Sequence, residues 1–230
     1  MSPDESSPAA RPVAEADRAA LVAALARIES GNALQQPGDA ERLAACLGHP
    51  DKHVRLHAAS ALAAELGRGG IDEALCRSWM GSDDEQVRWG AAFAASKAGL
   101  LEDQVVAIAL SSLDSGDGDV RWAAASLVVA AARQSEAVRK QLRDLVASGS
   151  NRRRKMAVLC LCDCGERDGR LYREALGDVD SFVRMAALTS MARNGDRSSD
   201  SLAAIAATAA GDGEANVRRA AAAVLRRLTA

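Results

Sequence analysis

Two clusters of metal-ligand residue types and a scatter of aromatic side chains are where this chain of 230 residues could do chemistry. His49, His53 and His57 are its three histidines, and they follow one another at four-residue intervals, so that His53 and His57 share a helix face as a pair of zinc ligands would. No Asp or Glu stands between those two, as a zinc hydrolase requires, and Lys52 and Arg55 load the same stretch with positive charge. Cys160, Cys162 and Cys164 alternate in Leu-Cys-Leu-Cys-Asp-Cys, where a helix brings only Cys160 and Cys164 to one face. One-residue spacing does not suit a zinc knuckle, and Cys160 reads as a small core residue. Neither a Walker loop, a dinucleotide fingerprint nor a nucleophile elbow occurs. The expectation is a chain without catalytic residues of its own, without bound metal and without a cofactor.

Composition points the same way. Aromatic residues are only 3% of the chain and alanine is abundant, which favours closely packed helices over a sheet. The formal net charge of −2 gives no global attraction for nucleic acid or an anionic membrane. Five cysteines, an odd number, argue for reduced thiols rather than a disulfide framework. The opening Met-Ser-Pro-Asp-Glu-Ser-Ser-Pro-Ala-Ala-Arg-Pro has neither the basic nor the apolar segment of a secretory signal, and no apolar run approaches a membrane span, so a cytoplasmic location is expected.

The elements that would position any site are set by an internal repeat. A Val-Arg pair preceded by an acidic turn recurs as Asp51-Lys-His-Val54-Arg55, Asp84-Glu-Gln-Val87-Arg88, Asp117-Gly-Asp-Val120-Arg121, Asp180-Ser-Phe-Val183-Arg184 and Glu214-Ala-Asn-Val217-Arg218, with Ser150-Asn-Arg-Arg153-Arg154 as a degenerate fourth copy. Successive copies are 33, 33, 33, 30 and 34 residues apart. Behind each pair lies a small apolar block, such as Ala58, Ala61 and Leu62 after Val54, which gathers with the Val on one helix face. A second amphipathic segment precedes each acidic turn, and glycines fall mostly where helices should stop. The spacing predicts helical hairpins throughout: a disordered tail over 1–12, a capping helix and linker over 13–38, and six repeats over 39–230 forming one solenoid domain.

The unit Asp-x-x-Val-Arg-x-x-Ala-Ala, preceded by a short helix and returning about every 33 residues, resembles the short HEAT-like repeats named after phycobilisome lyases, over about residues 39–230. That resemblance implies an all-α fold, an α-α superhelix built as a right-handed solenoid of HEAT-like helical hairpins, whose second helices line the concave surface. Tetratricopeptide and ankyrin repeats have similar periods, but their signature residues are missing. The deoxyhypusine hydroxylases are similar in architecture and take iron ligands from repeated His-Glu pairs; none occurs here, so the resemblance to them carries no activity over.

On this frame Asp51, Asp84, Asp117 and Asp180 are expected N-caps of the second helices. Arg55, Arg88, Arg121, Arg154, Arg184 and Arg218 are expected to form a structural ladder, each near the acidic turn of a neighbouring repeat. The residue two after each Val lies about 160° from the buried direction and faces outward. Across the repeats it is Leu56, Trp89, Trp122, Lys155, Met185 and Arg219, and one turn further on Phe93 and Leu159 follow Trp89 and Lys155. Stacking would gather Trp89, Phe93 and Trp122 into an aromatic groove flanked by Leu56 and Met185, with Arg152, Arg153, Arg154 and Lys155 as an adjoining basic patch. The expected function is a protein-binding scaffold that takes a protein partner or an acidic peptide segment in this groove. The alternative is a subunit of a phycobilin lyase or isomerase whose apolar and basic groove holds a tetrapyrrole. Four cations in a net acidic chain argue against nucleic acid.

Overall fold

The computed structural model describes residues 39–230, and the tail and capping segment expected over 1–12 and 13–38 lie outside the described residues. Twelve helices, and no strand, form among the described residues. They fall into two compact units, the first running to Leu100 and the second from Leu101 to Ala230.

The first unit holds two hairpins, α1 (Asp39–Leu47) with α2 (Lys52–Arg68) and α3 (Glu73–Met80) with α4 (Glu85–Lys97). The second helices α2 and α4 pack side by side, and α1 lies against both. Their shared interior takes Leu43 and Leu47 from α1, Val54, Ala58, Ala61 and Leu62 from α2, Cys76 and Met80 from α3, and Ala91, Ala94 and Ala95 from α4. The alanines set the distance between helices. At Gly90 even a methyl is too much, because a Cβ there would stand 2.9 Å from Leu47 Cδ2, and Leu47 is fully buried.

The second unit repeats the hairpin four times: α5 (Asp103–Ser112) with α6 (Gly118–Gln134), α7 (Glu136–Ser148) with α8 (Asn151–Asp163), α9 (Gly169–Leu176) with α10 (Ser181–Asn194), and α11 (Ser199–Gly211) with α12 (Ala215–Thr229). The second helices α6, α8, α10 and α12 pack in succession as one layer, with the first helices on the other side of the core. Equivalent side chains fill that core from each second helix: Val120, Ala124 and Val128, then Ala157 and Leu161, then Val183, Ala187 and Met191, then Val217 and Ala221. Recurrence of the same buried pattern is what lets one hairpin stack on the next.

Each second helix begins in a turn whose geometry the sequence dictates. Asp51, Asp84, Asp117 and Asp180 have extended backbones and accept the amides of His53, Gln86, Asp119 and Phe182 at 2.8–2.9 Å. Ser150 does the same for Arg153 through its hydroxyl at 3.2 Å, whereas Glu214 makes no side-chain cap. A cap of this kind contributes about 1 kcal/mol. At the far end of α10 the chain turns at Gly195, whose φ of 65° is strained for any residue with a side chain.

Candidate functional site

The arginine that follows each core position docks first on its own turn. Arg55 donates to the carbonyls of His49 and Pro50, Arg121 to those of Ser115 and Gly116, and Arg218 to those of Asp212 and Gly213. Arg88 reaches Ser82 O in the same way. Arg154 and Arg184 go further: besides Gly149 O and Asp178 O, they fork onto the carboxylates of Asp178 and Asp212 in the following repeat, with N–O distances of 2.7–2.8 Å. The acidic partner is therefore not the capping residue but the Asp two residues before it. Only the last two turns carry an Asp there, and Ser82 and Ser115 hold that place in the second and third. Asp178 and Asp212 were absent from the sequence-based ladder, although the substitution of Ser by Asp at one turn position was there to be seen.

Electrostatics follows this geometry. The Arg154 guanidinium beside Asp178, and the Arg184 guanidinium beside Asp212, hold those carboxyls below the usual range. The amide of Asn151, 2.9 Å from Asp180 Oδ2, does the same for Asp180, and the Ser201 hydroxyl does it for Asp196.

The run expected as a basic patch is turned to the same structural use. Arg152 donates to Asp114 O at 2.7 Å, Arg153 reaches Ser111 O and sits 3.7 Å from the Asp114 carboxylate, and Ser150 donates to Asp114 Oδ1. With Arg154 on Asp178, the start of α8 is clamped between the turn before it and the turn after it. The charges of Arg153 and Arg154 are thereby answered by carboxylates within the chain, while Arg152 meets only a backbone carbonyl. Lys155 is different: its ammonium lies 5.9 Å from the ring centroid of Phe182, which is 67% exposed.

The expected outward positions divide by unit. In the first, Leu56 is exposed, but Trp89 is buried, with 9% of its surface accessible, and its ring lies 5.7 Å from that of Phe93, one turn along α4. Lys97 continues this column, its ammonium 5.3 Å from the Phe93 ring. Trp89 is thus a packing residue and not an exposed anchor, because the i, i+4 neighbour that was expected to stand beside it in a groove covers it instead. In the second unit Trp122 is 54% exposed, and Met185 and Lys155 are half-buried on successive second helices.

Beside Trp122 a cleft of about 420 Å³ opens between α6, α8 and α10. Ala125, Val129 and Cys160 form its buried base, Trp122 and Leu159 its apolar sides, and Arg133, Asp163 and Arg193 its polar end. Arg193 pairs with the Asp163 carboxylate at 2.5 Å, and Arg133 donates to the Asp163 carbonyl at 3.1 Å. Burial pushes the Cys160 thiol up to about 12, so the base of the cleft offers a neutral, unreactive sulfur at physiological pH. The cleft can bind, but it presents no paired acid and base and no activated nucleophile.

The other expected chemistry residues lie apart from it. His49 Nδ1 accepts the amide of Asp51 at 3.0 Å, and His53 and His57 are exposed on α2. Cys162 donates weakly to Ser190 O and Asn194 Oδ1, and Cys164 to Leu161 O. Among the described residues no three His, Cys, Asp or Glu side chains gather in a way that could hold a metal ion, and no helix is long and apolar enough to cross a membrane.

Comparison with known proteins adds the following. No curated protein matches the chain. Among solved structures it is similar to an engineered protein, at 18% identity over 83% of this chain and 96% of the other, with a TM-score of 0.41. It is similar to an archaeal HEAT-like repeats protein from Thermococcus onnurineus NA1, at 17% identity over 96% and 98% with a TM-score of 0.48. It is also similar to a designed armadillo repeat protein in complex with the peptide (KR)4, at 14% identity over 81% and 98% with a TM-score of 0.46. Residues 40–128 match the family model described as HEAT repeats. Residues 40–128 thus carry HEAT repeats, and a helical hairpin of the same kind recurs beyond that segment to the last helix.

Proposed function

We propose that the second-helix layer of the second unit is a binding groove for a segment of another protein, with Trp122 as its anchor. The observation that carries this reading is the half-exposed indole of Trp122 standing at the side of an apolar-based cleft. A tryptophan left 54% in water is a poor use of its apolar surface unless something covers it, and Trp is the residue most enriched at binding hot spots. The layer favours an acidic segment. Its positions facing away from the core include Lys155, Arg193, Arg219 and Arg227 against Asp119 and Asp163, in a chain whose formal net charge is −2. Such a role needs no catalytic group, and the repeat architecture of stacked hairpins suits extended recognition.

The test is site-specific photocrosslinking with the full chain. A benzophenone side chain placed at Ser126, beside Trp122, should trap a defined acidic segment of one protein, and the same probe at Glu174, exposed on α9 in the other layer, should not. Trp122→Ala in the probe-bearing chain should abolish the adduct while helical circular dichroism is unchanged. Equal trapping from both probe positions would end the groove reading.

A further inference from the structure

The same face carries a pattern that specifies its ligand more closely. Four successive second helices present, at the level of their first turns, Trp122 on α6, Lys155 on α8, Phe182 on α10 and Arg219 on α12. Trp122, Lys155 and Arg219 each stand two residues after the core position of their repeat. On α10 that place is held by half-buried Met185, and Phe182, one turn before it, supplies the exposed surface instead. The Lys155 ammonium lies over the Phe182 ring at 5.9 Å, which fixes the two as neighbours on this face. Val179, 92% exposed in the turn before α10, widens the apolar spot. Along the stack the order is apolar, cationic, apolar, cationic.

The charges in this row are of a different kind from those beside them. Arg153, Arg154 and Arg184 are occupied by the carboxylates of Asp114, Asp178 and Asp212. Arg219 hydrogen-bonds the side-chain amide of Asn216 and Lys155 rests on a ring; among the described residues neither pairs with a carboxylate. A cation on an exposed aromatic face, with no carboxylate partner among the described residues, is placed to take an anion from outside.

We infer that the groove takes an extended acidic peptide in which apolar and acidic residues alternate at every third position; this rests on the groove reading above. Packed helices stand about 8–10 Å apart, and a peptide in the polyproline II conformation advances about 3.1 Å per residue with about three residues per turn, so every third side chain faces the groove and one such residue meets each helix. An apolar residue on Trp122 therefore places the third residue after it at Lys155, the sixth at Phe182 and the ninth at Arg219. A carboxylate at the third and ninth meets a cation each time, and an apolar side chain at the sixth covers Phe182 and Val179.

The experiment uses the full chain and fluorescein-labelled dodecapeptides, read by anisotropy at low ionic strength. The probe Leu-Ser-Ser-Glu-Ser-Ser-Leu-Ser-Ser-Glu-Ser-Ser and its reversal carry the required spacing, and a peptide of the same composition with adjacent leucines and adjacent glutamates does not. The better-bound direction of the spaced peptide should bind at least about ten-fold more tightly than the permuted one, which is one decade in Kd. Lys155→Glu should remove that preference, and added salt should weaken the spaced peptide more than the permuted one. Equal binding of spaced and permuted peptides, or no binding of either, overturns the alternation. Equal binding that is still lost with Trp122→Ala leaves the groove standing, whereas equal binding indifferent to Trp122→Ala counts against the groove as well.

Discussion

Arg184 holds Asp212 along one edge of its guanidinium, Nε and Nη2 donating to the two carboxylate oxygens at 2.7 and 2.8 Å, while Nη1 donates to Asp178 O in its own turn. One side chain thus ties the turn of its own repeat to the turn of the next. The two side chains are 13% and 6% exposed, so the pair is screened far less than an ion pair in open water. Removing one partner leaves the other shielded and unpaired. Asp212→Ala is expected to cost about 1–3 kcal/mol in urea unfolding, and Arg184→Lys should fail to restore the lost stability because an ammonium cannot fork. A double-mutant cycle should show clear coupling at Arg184 and Asp212 and far less at Arg170 and Glu174, an exposed pair on one helix. Similar coupling at the two sites would show that the inter-repeat bridge is no more than a surface contact.

Stability should depend on pH through the same carboxylates. Asp178, Asp180, Asp196 and Asp212 are all held below the usual carboxylate range, by Arg154, Asn151, Ser201 and Arg184 respectively. For a carboxyl whose folded-state pKa is depressed, the unfolded chain takes up the proton first as pH falls. The stabilisation is therefore full above the ordinary Asp range, near 4, and is lost on acidification through and below that range. Thermal unfolding followed from pH 7 to pH 3 should show a decline beginning near pH 4. The Asp178→Asn, Asp212→Asn double variant should be less stable at neutral pH but decline less steeply. An unchanged acid slope in that variant would place the acid sensitivity elsewhere.

Trp89 and Trp122 occupy equivalent repeat positions and should respond oppositely to truncation. Trp89 is 9% exposed and packed on Phe93, so Trp89→Ala opens a cavity and should cost about 3–5 kcal/mol. Trp122 is 54% exposed, and Trp122→Ala should shift stability by no more than about 0.5 kcal/mol. Acrylamide quenching gives an independent measure: of the two changes, the loss of Trp122 should remove the larger part of the readily quenched fluorescence, with half-buried Trp79 common to both variants. Comparable destabilisation by the two changes would make both indoles core residues and remove the anchor from the proposed groove.

How much of this was legible in the sequence can be judged from the same residues. The hairpins and their caps were, because Asp-x-x-Val-Arg is a local signal: the carboxylate bonds amides two or three residues away, and the Val and Ala that follow share one face whatever surrounds them. The division after Leu100 was not, since the spacing from Val87 to Val120 is the same 33 residues as elsewhere and period alone carries no trace of it. Nor was the fate of Trp89, because helical angle says which way a side chain leaves its helix and not what covers it there. The basic run at Arg152, Arg153 and Arg154 misled for a related reason. Its partners, Asp114 and Asp178, are 38 and 24 residues away from the arginines they meet, and only the stacking of turns brings them together.

The cysteines provide a last test, one that bears on the base of the cleft. Cys46, Cys76, Cys160 and Cys162 are buried and Cys164 is half-buried at the end of α8. Alkylation proceeds through the thiolate, and burial raises the Cys160 thiol to about 12 and the Cys46 and Cys164 thiols above their ordinary value, so these three are not activated. Accessibility then decides the order. In native protein at pH 8, iodoacetamide should modify Cys164 first and slowly, and Cys160 only at the rate of unfolding, as read by mass spectrometry of intact protein and peptides. Because Cys160 is 1% exposed beneath the cleft, a ligand resting against Trp122 and Leu159 should leave its labelling rate unchanged, provided it does not alter stability. Rapid native labelling at Cys160 would mean that the gap between α6 and α8 opens on its own, and a cleft that opens to its sulfur would present a deeper site than the one described by Trp122, Val129 and Leu159.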